Sequence, residues 1–244
     1  MMWLDANWPA PTAVKALATY RTGGYSQASY SSLNLAQHVN DDANNVKRNR
    51  HSLITALGLP NDPVWLDQVH GTQLLELNNA EQAINPQADG AVTQRKDKVC
   101  AVLTADCLPV LLCNKQGTQV AAVHAGWRGL LGGIIENAVA TFEQPDDVLA
   151  WLGPAIGPGY FEVGKEVRDA FTDKKPLMQQ AFRYVDKKHY YADLYALARM
   201  TLLDCGVKKM YGGEHCTYNE ADKFYSYRRE PITGRMASLI WLQP

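Results

Sequence analysis

The first half of this 244-residue chain contains a close series of short apolar segments, each about as long as a β-strand. Short apolar runs bounded by turn-forming residues are typical of buried strands. The most apolar stretch, residues 99–113, is interrupted by Thr104, Asp106 and Pro109, so it is too short and too polar to cross a bilayer. We therefore predict strands in this half near residues 64–70, 74–77, 99–104, 110–113 and 120–124.

Segments with helical periodicity lie on either side of this series. Asp41 and Asp42 can cap a helix that runs to about residue 57, and Gly58 is a typical stop signal. The clearest helix is predicted at 130–142, where apolar residues recur every four positions. We also predict helices at 164–171 and 192–203, and strands at 14–20, 148–152, 207–211 and 236–241.

The order of these elements indicates the fold class. The strands are grouped between helices instead of alternating with them, which favours an α+β fold over a doubly wound parallel sheet. The sequence contains no repeat, linker or low-complexity block. We therefore expect a single domain over residues 1–244, a length that is sufficient for a sizeable core.

Three short strand-like segments each carry one residue that can bind a metal. They are His70, Cys107 and His124, at the ends of apolar runs and beside turn residues. Two imidazoles and one thiolate are a good donor set for zinc, and three protein ligands leave a fourth position for water or substrate. The spacings are too long for a zinc-finger motif, so the fold has to assemble this site.

Two other interpretations use the same residues. Cys107 can be a nucleophile with His124 as its base, without a metal. Alternatively, Cys107 is a small buried apolar residue and the histidines are polar groups satisfied in loops. Their position at strand ends, where functional sites are often built, favours a role in catalysis for His70, Cys107 and His124.

A glycine-rich turn, residues 126–129, follows His124 and leads into the predicted long helix. Free amides at the start of a helix, with Arg128 beside them, are typical of an anion-binding site. The glycines can instead serve only to relieve crowding. Asp106 directly precedes Cys107, and because neighbouring side chains on a strand face opposite ways, we expect it to have a structural role instead of acting as a fourth ligand.

Three further residues are candidates for contact with a substrate. Arg21 and Asn34 lie in polar loops, and both residue types can hold a sugar hydroxyl or a phosphate. The simpler interpretation is turn chemistry. Arg228 lies in a charged, aromatic segment, where an exposed ion pair is the default and an arginine facing the substrate is the alternative.

Composition limits the classes of partner. The formal net charge is −1, from 24 basic and 25 acidic residues, and there is no polybasic tract. We therefore expect no nucleic-acid partner and no membrane partner. Five irregularly spaced cysteines and no visible signal peptide indicate reduced thiols and a cytoplasmic location.

Several long segments together resemble the bacterial YfiH proteins, also called the polyphenol-oxidase or laccase-domain family. The similarity runs from Arg21 to the C-terminus, and it is weakest at residues 173–190. The segments that carry it are VWLDQVHG, ADGAVT, TADCLPVLLCN, VAAVHAGWRGLLGGIIENAV, WLGPAIGPGYFEVG and FYSYRREPITGRMASLIWL.

The resemblance implies a fold, a metal site and an activity. The implied fold is a four-layer α/β/β/α sandwich with mixed β-sheets, and the implied metal ligands are His70, Cys107 and His124. The implied activity is phosphorolysis of adenosine, inosine and methylthioadenosine to base and ribose 1-phosphate, with adenosine deamination at the same site. Nucleoside and phosphate are then the partners, zinc is the cofactor, and the protein is a monomer or a weak homodimer.

The histidines of this chain do not fit the name polyphenol oxidase taken literally. A multicopper oxidase needs many histidines in His-x-His pairs, whereas this chain has six histidines and no such pair. We therefore expect phenol oxidation only when copper occupies the zinc site. The resemblance also allows a peptidoglycan-editing amidase that removes L-serine from UDP-muramoyl-serine. A zinc-stabilised interaction protein is the non-enzymatic alternative, and it predicts four protein ligands.

Overall fold

The computed structural model describes residues 2–78 and 85–243, and it contains five α-helices within them. They are α1 Ala43–Leu57, α2 Trp127–Gly132, α3 Ile134–Val139, α4 Lys165–Lys174 and α5 Leu194–Asp204. The strands are β1 Trp3–Asp5, β2 Val14–Thr19, β3 Leu74–Glu76, β4 Gly90–Thr93, β5 Val99–Thr104, β6 Leu108–Asn114, β7 Val120–Ala125, β8 Val148–Leu152, β9 Glu162–Gly164, β10 Phe182–Tyr184, β11 His189–Ala192, β12 Lys209–Gly212 and β13 Met236–Leu242.

The strands form one mixed sheet and two antiparallel sheets. The six-stranded sheet has the order β12-β8-β6-β7-β4-β3, with parallel pairs at its two edges and antiparallel pairs between them. The four-stranded sheet has the order β1-β2-β13-β5, and β9, β10 and β11 form a small third sheet. The predicted α+β class is confirmed as a mixed α/β fold with mixed and antiparallel sheets.

The central strands are buried on both faces, which explains why they read as continuous apolar runs. In β5, Cys100 and Val102 face a core shared with the six-stranded sheet. Val99, Ala101 and Leu103 face a second core, which the loops after β2 and helix α1 complete. This alternation follows from the two-residue period of a strand, and burial on both faces removes the polar positions of a half-exposed strand.

Helix α1 confirms the predicted capping signals. The Asp42 side chain accepts hydrogen bonds from the backbone N–H groups of Asn44 and Asn45, so it satisfies two free donors of the first turn. Gly58 ends the helix with φ +58°, in the left-handed region that a residue without a Cβ adopts most readily.

The predicted long helix at 130–142 is wrong, because the chain forms two short helices there. Gly133 has φ +105° and separates α2 from α3. The apolar period nevertheless continues across the break, and Leu130, Ile134 and Ala138 are all buried against the six-stranded sheet. A regular apolar spacing therefore indicated the buried face correctly but not the continuity of the backbone.

The predicted strand at 64–70 is also wrong. Only Val64 and Asp67 form isolated bridges, and His70 has φ +60°, which a strand does not allow. Five strands were not predicted: β1, β4, β9, β10 and β11. Of these, β10 and the first residues of β11 lie in the segment 173–190, where the resemblance is weakest. The other predicted helices and strands are present, with ends that differ by at most three residues.

Candidate active site

The three predicted metal ligands come from different local structures that meet beside the six-stranded sheet. His124 lies in β7 and is 3% exposed. Cys107 lies in the turn between β5 and β6, where Asp106 has φ +90°. His70 is exposed and comes from the loop before β3. Only His124 therefore comes from within a strand.

The side chains of His70, Cys107 and His124 are close enough to hold one ion. One potential ligand atom from each residue lies within 4.8 Å of the others, and Cys107 Sγ is 3.9 Å from His70 Nε2. The two imidazole rings meet edge to face, with their centroids 4.8 Å apart. Within the described residues, no fourth His, Cys, Asp or Glu joins this group. The donor set fits a metal site with an open position.

Asp89 fixes the orientation of two of these residues, and sequence reasoning did not find it. Its carboxylate is fully buried and lies 2.8 Å from His124 Nδ1, which leaves Nε2 for a metal. The same carboxylate accepts hydrogen bonds from the backbone N–H groups of Val69, His70 and Gly71. Asp89 thus ties the His70 loop to His124, and its only sequence signal was its place in the ADGAVT segment.

The electrostatics of the group favour a thiolate beside an imidazolium when no metal is bound. Burial alone would raise the pKa of the Cys107 thiol, but the His124 and His70 imidazoles lower it to about 6. Burial alone would lower the pKa of His124, but the Cys107 thiolate and Asp89 raise it to about 9. The pKa of Asp89 is lowered despite its burial, because His124 and the Gly71 amide stabilise the carboxylate.

Gly126 has a steric role next to this group. A Cβ at this position would lie 3.0 Å from Cys107 Sγ and 3.2 Å from the His70 ring. A Cβ at Gly129 would lie 2.8 Å from the Gly71 carbonyl oxygen. The glycines of the 126–129 turn therefore allow close packing around the three side chains, as the crowding interpretation predicted.

The three side chains open into a cavity of about 510 Å³, which we call the triad cavity. This volume is in the range of small-molecule binding sites. Aromatic and charged side chains surround the cavity, and its other lining residues include Trp127, Phe161, Tyr227, Ile156, Gln68, His38, Arg128, Arg228 and Arg235. Sequence reasoning selected Arg128 and Arg228 but missed Arg235, His38 and the aromatic residues.

The two predicted arginines differ in how their guanidinium groups are held. Arg128 lies 4.4 Å from the centroid of the Trp127 ring and, among the described residues, has no hydrogen-bond or ion-pair partner. Arg228 donates to the backbone carbonyls of Tyr160 and Glu162 and forms no ion pair within residues 2–78 and 85–243. Both are exposed and line the triad cavity.

The other two predicted substrate contacts, Arg21 and Asn34, are not among the residues that line the triad cavity. Arg21 donates to the carbonyls of Ser31 and Ala221 and stacks on Tyr225, away from the lining of the triad cavity. Asn34 is fully buried, and its amide group bonds to the backbone of Ala36 and to other neighbours. The polar groups of both residues form hydrogen bonds within the loops, as the interpretation of turn chemistry predicted.

Asp106 has the structural role that was predicted for it. Its carboxylate accepts hydrogen bonds from the hydroxyls of Thr217 and Ser226 and from the backbone N–H of Arg228. Asp106 directly precedes Cys107 and lines the triad cavity, but within the described residues it is not part of the group formed by His70, Cys107 and His124. It joins the Cys107 turn to the segment that carries Arg228.

The fold and the site define a mixed α/β protein in which a His-Cys-His group beside a buried sheet opens into a small-molecule cavity. The family model described as "Multi-copper polyphenol oxidoreductase laccase" matches residues 15–243, and the chain belongs to this family. The resemblance to YfiH proteins is confirmed. The chain is 51% identical over 238 residues to the Escherichia coli K12 protein named purine nucleoside phosphorylase YfiH, covering 97% of each.

Other relatives agree over the whole length. A Haemophilus influenzae protein named purine nucleoside phosphorylase is 44% identical over 246 residues, covering 100% of each chain. A crystal structure from Neisseria meningitidis gives a TM-score of 0.94 at 48% identity and covers 100% of both chains. YlmD from Geobacillus stearothermophilus gives 0.95 at 30% identity, covering 100% of this chain and 97% of that one.

A membrane-spanning helix was not expected. Within residues 2–78 and 85–243, no helix has the length and apolar character needed to cross a bilayer.

Proposed function

We propose that this protein is a zinc-dependent purine nucleoside phosphorylase. Its substrates are adenosine, inosine and methylthioadenosine, its second substrate is phosphate, and it deaminates adenosine at the same site. The observation that carries the proposal is the convergence of His70, Cys107 and His124 on a cavity of nucleoside size lined by arginines. The names of several full-length relatives support the reaction class.

His70, Cys107 and His124 are the residues that would hold the zinc. When bound, zinc supplies a Lewis acid that stabilises negative charge on a reacting group. Asp89 keeps Nε2 of His124 directed at the site, and the low pKa of Cys107 makes its thiolate available at neutral pH. Copper can occupy the same ligands, since it binds such donors more tightly than zinc, and phenol oxidation would then be a side activity.

The rest of the triad cavity supplies the binding of the two substrates. Trp127, Phe161 and Tyr227 offer apolar and aromatic surface for a purine. Arg128 and Arg228 offer positive charge for phosphate, which must lie near C1′ of the ribose to form the new C–O bond as the glycosidic C–N bond breaks. The purine leaves with the electron pair of that bond.

The test of this proposal is the phosphate dependence of base release. The purified protein is incubated with adenosine or inosine, with and without phosphate, and the base and ribose 1-phosphate are measured. The proposal predicts equal amounts of both products with phosphate, and no base without it. Base release that does not depend on phosphate, or no release at all, would contradict the proposal.

A second function is favoured by the lowered pKa of Cys107. A cysteine that is a thiolate at neutral pH beside His124 can act as a nucleophile on an amide. The second candidate is therefore the amidase that removes L-serine from UDP-muramoyl-serine. Release of serine from that precursor, with no phosphate-dependent cleavage of nucleosides, would select it over the phosphorylase.

A further inference from the structure

A second cavity, of about 370 Å³, adjoins the triad cavity, and we call it the side cavity. His38 and Arg235 line both cavities, so a ligand in one can extend past these side chains into the other. The remaining residues of the side cavity are Tyr30, Val39, Asn40, Pro231, Ile232 and Thr233. No residue of the side cavity was among the predicted substrate contacts.

Thr233 brings an unused polar group to the side cavity. The residue is 1% exposed, and its hydroxyl has no hydrogen-bond partner within residues 2–78 and 85–243. A buried hydroxyl without a partner is costly, so such a group in a binding site indicates a missing ligand atom. The neighbouring Tyr30 hydroxyl, by contrast, already donates to the Val39 carbonyl.

Arg235 brings a positive charge that the side cavity does not neutralise. Its Nη1 donates to the carbonyls of Thr233 and Gly234, and its guanidinium lies 5.9 Å from the centroid of the Tyr227 ring, whereas its Nε and Nη2 have no hydrogen-bond partner in the described part of the chain. No residue that lines the side cavity is acidic. Burial and the charge of Arg235 lower the pKa of His38, which favours its neutral form.

The position of Arg235 is fixed by its own backbone. Its N–H donates to the side-chain oxygen of Asn34, and its carbonyl accepts from Leu35. Asn34, which the sequence suggested as a substrate contact, thus holds the residue that borders both cavities. A donor that is fixed in this way binds an anion without the entropic cost of ordering a mobile side chain.

We propose that the side cavity binds a carboxylate on a substituent of the ligand whose purine lies in the triad cavity. Arg235 and Thr233 donate hydrogen bonds to the carboxylate, since two free guanidinium nitrogens suit its two oxygens. Pro231 and Ile232, which is 65% exposed, contact the carbon chain of the substituent. This assignment rests on the proposed nucleoside function.

The experiment measures binding by calorimetry in phosphate-free buffer. Three adenosine derivatives carry a carboxymethyl group at the 5′, N6 or C2 position, and each is compared with its neutral methyl ester and with adenosine. At one of these three positions, the carboxylate derivative should bind about tenfold or more tightly than its methyl ester. In Thr233→Val, which keeps the shape and removes the hydroxyl, this preference should fall about three- to tenfold.

Ser238→Ala is the matched control. Ser238 also has a buried hydroxyl without a partner among the described residues, but it lies in β13 and lines neither cavity. This variant should keep the full carboxylate preference. The assignment is overturned if adenosine binds but no derivative prefers the carboxylate, or if Thr233→Val and Ser238→Ala behave alike. Failure of adenosine itself to bind would instead overturn the proposed function, and the assignment with it.

Discussion

The two sides of the triad cavity are built in different ways. On the ligand side, His124 and Asp89 are buried and joined to each other, and Asp89 also holds the backbone of His70. On the arginine side, Arg128 and Arg228 are exposed, and Arg128 stacks on Trp127 without a hydrogen-bond or ion-pair partner among the described residues. The ligand side is therefore held by hydrogen bonds among its own residues, whereas on the arginine side only Arg228 is held in this way, by the carbonyls of Tyr160 and Glu162.

Because the two sides differ, substitutions on them should have different effects. Changes around His70, Cys107 and His124 should alter metal affinity first, because the surrounding hydrogen bonds orient the ligands. Changes at the arginines should alter substrate binding while the metal content stays the same. The four predictions that follow test this separation.

The largest effect is expected for Cys107→Ala, which removes the only thiolate of the group. The purified wild-type protein should contain about one zinc per chain by elemental analysis, and the variant should lose most of it. Cys205→Ala is the control, because Cys205 lies after α5 outside the triad cavity and should leave the zinc content unchanged. Full zinc retention by Cys107→Ala would refute the assignment of the ligands.

The next effect is expected for Asp89→Asn. The neutral amide cannot stabilise His124 in the same way, so zinc affinity should fall about 10- to 100-fold in competition with a chelator. Asp97→Asn is the control, since Asp97 forms an exposed ion pair with Arg95. An unchanged zinc affinity in folded Asp89→Asn would show that the ligand side does not depend on this carboxylate.

Arg128→Ala tests the other side of the cavity. Loss of a charge-assisted contact, typically about 1.5–3 kcal/mol, should raise the KM for phosphate about 10- to 100-fold at unchanged zinc content. Arg128→Lys should recover only part of this loss, because a point charge cannot bind an anion in bidentate fashion. Arg183→Ala is the control, since Arg183 also stacks on an aromatic ring, that of Tyr191, but lies outside the cavity. Normal phosphate saturation in Arg128→Ala would make Arg228 the next candidate.

The smallest effect is a pH dependence of stability in the metal-free protein. The pKa of Cys107 falls from 9.0 to about 6 on folding, so its contribution is lost as pH drops through about 6. The pKa of His124 rises from 6.5 to about 9, so its contribution is lost as pH rises through about 9. Between 6.5 and 9 the folded and unfolded pairs bind equal numbers of protons, and their contribution is constant.

The measurement is the free energy of unfolding of metal-free wild-type protein minus that of Cys107→Ser, as a function of pH. The difference should be constant above about pH 6.5 and should fall as the pH drops from 6.5 to 6, where the unfolded pair binds more protons than the folded pair. A difference that rises steadily with pH would show that His124 is not charged in the folded, metal-free protein.

The residues that sequence reasoning predicted well have signals that are local. Asp42 and Gly58 stand at the two ends of one helix, and His124 ends an apolar strand, so a short window is enough to identify each of them. The metal ligands also stand out because histidine and cysteine have few other uses at strand ends. The fold class followed from the order of such local elements.

The residues that were missed, and those placed outside the cavity, depend on contacts between distant segments. Asp89 reaches His124, 35 positions away, and Arg235 is fixed by Asn34, 201 positions away. Arg21 and Asn34 have the residue types of a substrate site, but their polar groups are used by neighbouring loops. Local sequence does not show which partner a polar group will find once the chain has folded.

We propose above that the three ligands and the arginines form one active site for phosphorolysis. The most direct test is to remove the metal and add zinc back stepwise while ribose 1-phosphate formation from inosine and phosphate is followed. The account predicts that activity rises in proportion to zinc, reaches its limit at about one zinc per chain, and does not return in Cys107→Ala. Full activity in the metal-free protein, or in Cys107→Ala, would contradict it.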